Sequence, residues 1–213
     1  QVSFNVGYGA AKPFRAVQAF DMYWHAEGMK TAYSGTMTYQ GEKYTVDPET
    51  CYGYADKNWG RDFTSPWLWL SSCDLFSSLT GRKLKNSAGK PLDRKLLSAF
   101  WYEGREYEFN FSKPALFTQT RFDCTETEDE VLWHVAQTSV YGKIECRIRC
   151  SKSEMLLVNY ESPDGAKRHN RLWNGGTGHG RIKLYGRNDD GKLYLVDDIL
   201  AEHVGCEYGE YCK

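Results

Sequence analysis

Within residues 53–76, Tyr54, Asp56, Lys57, Asn58, Trp59, Trp67 and Trp69 put an acid, a cation and an amide beside large aromatic faces. Such a mixture suits an apolar pocket with one polar corner. It also fits a tryptophan-rich core with solvated charges at a strand end, because Trp is mostly buried whatever its role. His25 and Glu27, alternate residues of an expected strand, could face the same cavity and assist proton transfer. Hydrogen bonds from His25 to a carbonyl or amide are the structural alternative.

Other chemistry-bearing patterns are weaker. Cys146 and Cys150 share a strand face but lack the CxxC spacing and second pair of a zinc site, so no metal is expected. The run NGGTGHG, residues 174–180, has the glycines of a phosphate cradle without the Gly-Lys-Ser/Thr ending. It reads as a flexible loop, with His169 and His179 in polar, solvated segments. Arg147, Arg149, Arg181, Lys183 and Arg187 could line up across strands into a basic stripe, although interspersed acids also fit an ordinary solvated exterior.

The elements that must hold these residues are strands. Aromatics make up 15% of the 213 residues and Gly numbers 20, and there are no alanine- or leucine-rich helical runs. Residues 30–39 and 42–47 flank Gln40-Gly41, and residues 96–102 and 105–111 flank Glu103-Gly104; both read as hairpins. A third connection is Asn188-Asp189-Asp190-Gly191, between residues 181–187 and 192–200. Residues 131–138 and 142–150 form another pair. In the second of them Ile144, Cys146, Ile148 and Cys150 alternate with Lys143, Glu145, Arg147 and Arg149, the pattern of a half-buried antiparallel strand. Alternation in WLWL puts Trp67 and Trp69 on one face and Leu68 and Leu70 on the other, and both faces read as buried. Residues 80–94 are polar and read as an exposed loop.

Short strands in hairpin succession, with no helix to carry a parallel crossover, point to an all-β up-and-down meander. Closing it into a barrel would remove exposed edges and could enclose one small apolar ligand.

Charge argues against some partners. Lys plus Arg number 27 against 28 Asp plus Glu, a net charge of −1, which offers no footprint for nucleic acid or an anionic membrane. No apolar run is long enough for an integral membrane segment. The 7 cysteines, an odd number, read as thiols of a reducing compartment, hence a cytoplasmic location. The chain opens at Gln1 without a methionine, so targeting information at the amino end could have been lost. Oligomeric state is left open.

Tyr54-x-Asp56-Lys57-Asn58-Trp59-Gly60, followed by Phe63, Trp67 and Trp69, resembles the tocopherol cyclase and carotenoid hydratase group, whose members carry Y-x-E/D-K-N-W-G and then F-P-x-x-W-x-W. Weaker similarity runs from about residue 32 onward, through YSGTMTYQGEKYTVD and GHGRIKLYGR. Thr64-Ser65-Pro66 departs from the family's Phe-Pro arrangement.

The resemblance implies lipocalin-like architecture in two consecutive β-barrel domains. Residues 1–52 would be the tail of a first, incomplete domain and residues 53–213 the second. It further implies a hydrophobic small-molecule partner, prenylated or polyene, and alkene protonation leading to cyclisation or hydration without a cofactor. Asp56 would be the general acid, with Tyr54 as its hydrogen-bond partner and His25 assisting. Trp59, Trp67, Trp69, Asn58 and Glu27 would line the ligand. A non-catalytic carrier of a hydrophobic small molecule would use the same aromatics only as walls.

Overall fold

The computed structural model describes residue 16 and residues 22–60, 67–72, 75–80, 96–110, 116–161, 165 and 168–210. The segment expected to be an exposed loop, residues 80–94, falls outside them except at Thr80, as do Cys73 and Cys212. The chain divides into two compact units, Gln1–Trp59 and Gly60–Lys213.

The first unit holds β1 (Met22–Ala32), β2 (Gly35–Tyr39), β3 (Glu42–Val46) and β4 (Tyr52–Gly60), whose last residue opens the second unit. Strand β1 pairs with β4, and β2 with β3. The β2–β3 hairpin turns on Gln40 and Gly41, both with positive φ (50° and 83°), as a two-residue type I′ connection requires.

The second unit is a ten-stranded antiparallel sheet that curls into a half-barrel. Its strands are β5 (Trp67–Ser71), β6 (Leu75–Thr80), β7 (Leu97–Tyr102), β8 (Arg105–Asn110), β9 (Gln119–Glu126), β10 (Glu130–Thr138), β11 (Gly142–Ser151), β12 (Met155–Glu161), β13 (Arg168–Arg187) and β14 (Leu193–Gly209). They run in the order β8-β7-β6-β5-β14-β13-β11-β10-β9, with β12 also on β13. The expected hairpins are all present, and Glu103-Gly104 repeats the paired positive φ (47° and 76°). The all-β, barrel-like expectation is met.

Alternation decides which face goes inside. Val131, Trp133 and Val135 of β10 sit opposite Cys150, Ile148 and Cys146 of β11, and all are buried. Ile182 and Leu184 of β13 continue the row, and Leu68, Leu70, Phe100 and Phe109 complete one core. Gln137 is fully buried within it. Its Oε1 accepts from the Ser98 hydroxyl, while Nε2 donates to Leu96 O at 2.9 Å and to Thr120 Oγ1 at 3.1 Å. One side chain on β10 thereby ties the start of β7 to β9, and the burial of its amide is compensated by hydrogen bonds on both ends.

NGGTGHG is not a loop. Residues 174–180 lie inside β13, with His169 and His179 on the same strand, and the pairing with β14 shifts register between Gly175 and Gly178 and again between Gly178 and Gly180. These glycines serve close backbone approach and bulges rather than a turn. A Cβ at Gly180 would lie 1.9 Å from the Arg147 carbonyl oxygen, and one at Gly178 2.8 Å from that of Val204.

Free cysteines Cys146, Cys150 and Cys206 are buried, and Cys51 and Cys124 are half-buried. Burial pushes the Cys146 thiol up to about 12, and burial is likewise the main cause raising Cys124 and Cys206. A thiol needs its thiolate form to react.

Two outcomes follow from these contacts. Gly180→Ala should lower unfolding free energy by about 1–3 kcal/mol in urea titrations, as expected where a core backbone contact must part. In the folded protein at pH 8, brief iodoacetamide treatment read by mass spectrometry should label Cys51 well before Cys146. Equal labelling would contradict the burial of Cys146.

Candidate functional site

In the first unit, β4 presents Tyr54, Asp56, Lys57, Asn58 and Trp59, and β1 carries His25 and Glu27. Tyr54 and Trp59 are half-buried; Asp56, Lys57, Asn58 and Glu27 are exposed. The Tyr54 hydroxyl donates to Asp56 Oδ2 at 2.5 Å, as strand alternation allows for residues two apart. Lys57 points its ammonium at Glu27 Oε1, 2.6 Å away, joining β4 to β1. That places a cation beside Glu27 rather than leaving Asp56 as its sole acidic neighbour in sequence. The backbone of His25 lies in β1, and its side chain is outside the described residues.

Along the same unit an open cleft of about 410 Å³ is bounded by Tyr33, Met37, Val46, Cys51 and Tyr52. It adjoins the start of β4. Gly53 matters here, because a Cβ would fall 2.1 Å from the Tyr33 ring.

In the second unit, Trp67 and Trp69 stand on β5, on the face away from Leu68 and Leu70, which enter the core. Trp67 is buried and Trp69 half-buried. Register puts Trp69 opposite Glu207 and Trp67 opposite Gly209 of β14. The Trp67 indole N–H donates to Glu207 Oε2 at 2.5 Å, and the Asn174 amide donates to Oε1. The Tyr160 hydroxyl reaches the same oxygen at 3.4 Å, and its ring meets Trp67 edge-on at 6.4 Å. One carboxylate therefore gathers donors from β5, β12 and β13, and the Glu207 backbone oxygen also accepts from the Trp133 indole at 3.1 Å.

Glu207 was not among the residues singled out by sequence. It lies 140 positions from Trp67, and only the β5–β14 register brings them together. Alternation in β14 could have placed Glu207 opposite the core-facing Cys206, but not beside an indole. Hydrogen bonds from several donors stabilise a carboxylate over its acid. Glu207 is accordingly suited to fix the Trp67 ring.

The structure thus brings together Tyr54 with Asp56 and Glu27 with Lys57 in one unit, and Trp67 and Trp69 with Glu207 in the other. Among the described residues no group of three or more His, Cys, Asp and Glu side chains could hold a metal ion, and no helix is long and apolar enough to cross a membrane.

No curated protein and no solved structure matches the chain. Residues 10–198, a span that takes in β1 to β13, match the family described as tocopherol cyclase-like. Coverage of that extent, with the YxDKNWG segment and the paired tryptophans inside it, establishes that the chain belongs to the tocopherol cyclase-like family.

Proposed function

We propose that the protein acts on a prenylated or polyene hydrophobic small molecule, protonating an alkene without a cofactor and directing the resulting cation to cyclisation or hydration. The observation that carries this reading is the Tyr54–Asp56 hydrogen bond inside the family motif. In the reaction, the protonated Asp56 carboxyl transfers its proton to one alkene carbon as the π pair forms the new C–H bond. The other carbon becomes a tertiary cation. A phenol hydroxyl of the same substrate, or water, then forms the C–O bond and returns a proton to the Asp56 carboxylate, so that acid and catalyst are both restored.

Such a cation needs surroundings that stabilise positive charge without trapping it, and indole and phenol faces do this by cation–π attraction. Trp59 of the first unit takes that role beside Asp56, with Asn58 and Glu27 at the polar margin and His25 assisting proton transfer, and Trp67 and Trp69 are the ligand-contacting residues assigned to the second unit. Asp56 is exposed in this structure. An apolar chain laid over it would strip away water and favour the neutral acid, coupling substrate binding to protonation.

That same exposure favours a second reading, a non-catalytic carrier in which the aromatics act only as walls. The two separate on one variant. Asp56→Asn should leave binding of a prenylated hydroquinone, followed by tryptophan fluorescence, within about twofold, while turnover falls by at least the ~10²-fold typical of a lost general acid. Product formation at the wild-type rate would remove Asp56 from the chemistry. Absence of turnover in the wild type, with binding intact, would favour the carrier.

A further inference from the structure

On the outer face of the half-barrel, β11 carries Arg147 and Arg149 two residues apart, both exposed. Register sets His134 of β10 and Arg181 of β13 directly opposite Arg147, and His179 directly opposite Arg149. Basic side chains therefore form one area across three adjacent strands. Like charges placed directly opposite one another on a sheet are destabilising, so folding alone gives no reason to gather them. Glu145, two residues before Arg147 on the same strand face, feels the charges of Arg147 and His134, so the cluster is compensated in part but not pair by pair, and a locally unfavourable arrangement left only partly compensated is a mark of function.

Acids relieve one end of this area. Arg181 Nε donates to Asp198 Oδ1 at 2.9 Å, and Lys183 lies 3.8 Å from the other oxygen of that carboxylate. Asp123, opposite His134 on β9, is the carboxylate of the cleft lining. Among the described residues, no carboxylate lies within ion-pair distance of Arg147 or Arg149. The Arg149 Nε instead donates to His179 Nε2 at 3.0 Å, which fixes the imidazole and leaves its Nδ1 as a donor. Between these groups is an open cleft of about 570 Å³, with Leu132 and Thr125 on its wall.

We propose that this cleft binds a phosphate-type oxyanion between the Arg147 and Arg149 guanidinium groups. Their Cα atoms, two residues apart on a strand, are separated by about 6.7 Å, a spacing that lets two planar forks meet one tetrahedral anion from either side. His134 and His179 flank the anion. The site lies on the face opposite the core and does not depend on the alkene chemistry proposed above. A soluble phosphomonoester and the headgroup of an anionic lipid share this chemistry.

The test uses the full chain. Sodium phosphate is titrated against sodium chloride at equal ionic strength, reading Tm and amide chemical shifts. Separately, flotation is measured with phosphatidylcholine vesicles with and without phosphatidic acid. Phosphate should raise Tm saturably, by preferential binding to the folded state. Arg147→Gln and Arg149→Gln, made singly and together, should weaken that effect at least tenfold in the pair, whereas Lys192→Gln should not. Saturation by phosphate without flotation assigns a soluble phosphoester. Flotation that requires phosphatidic acid and is lost in the paired variant assigns a lipid headgroup. Phosphate acting like chloride with no phosphatidic acid-dependent flotation overturns the proposal, as does undiminished binding by the paired variant.

Discussion

Backbone approach along β13 is the constraint on which the half-barrel rests. This strand of 20 residues pairs with β14 on one edge, while its other edge is shared, β11 taking residues 179–186 and β12 residues 168–175. Where β11 hands over to β12, the strand must bend and shift register. Glycine makes this possible, because any side chain at Gly180 would collide with a neighbouring carbonyl. The bulges at Gly175 to Gly180 then set which residues of β14 face inward, and so place Val204 and Cys206 in the core and Glu207 on the tryptophan face.

Two carboxylates stand in contrast within this chain. Asp56 is exposed and has a phenol two residues away as its donor. Glu207 is half-buried and is met by an indole, an amide and a phenol from three different strands. The second arrangement fixes geometry. Protein interiors tune carboxyl groups to different tasks through such differences of surroundings.

Local signals in the sequence located much of the fold. Gln40-Gly41 and Glu103-Gly104 marked hairpins because both central residues must take positive φ, and the alternation of residues 143–150 marked which side chains enter the core. The family motif was equally visible as a fixed spacing of uncommon residues. The glycines of residues 174–180 misled, since glycine serves a turn and a close strand contact alike, and only the neighbouring backbone distinguishes them. Glu207 was hidden for a different reason, and the alignment of Arg147 with Arg181 was legible only as one of two readings of the basic residues. Both depend on pairing register between strands far apart in sequence, which no local pattern encodes.

The β5–β14 pairing carries a consequence for biogenesis. Strands β5 to β8 form one run of hairpins and β9 to β13 another, and in the strand order they meet only through β14. Because a ribosome delivers β14 after all of the others, the earlier run emerges with the hydrogen-bonding edge of β5 open and its Leu68 and Leu70 side uncovered. Long-range strand pairing of this kind is slow, and a nascent chain waiting for it is exposed to association with its neighbours. Sealing of the half-barrel therefore waits for β14, after the strands it joins have already left the ribosome.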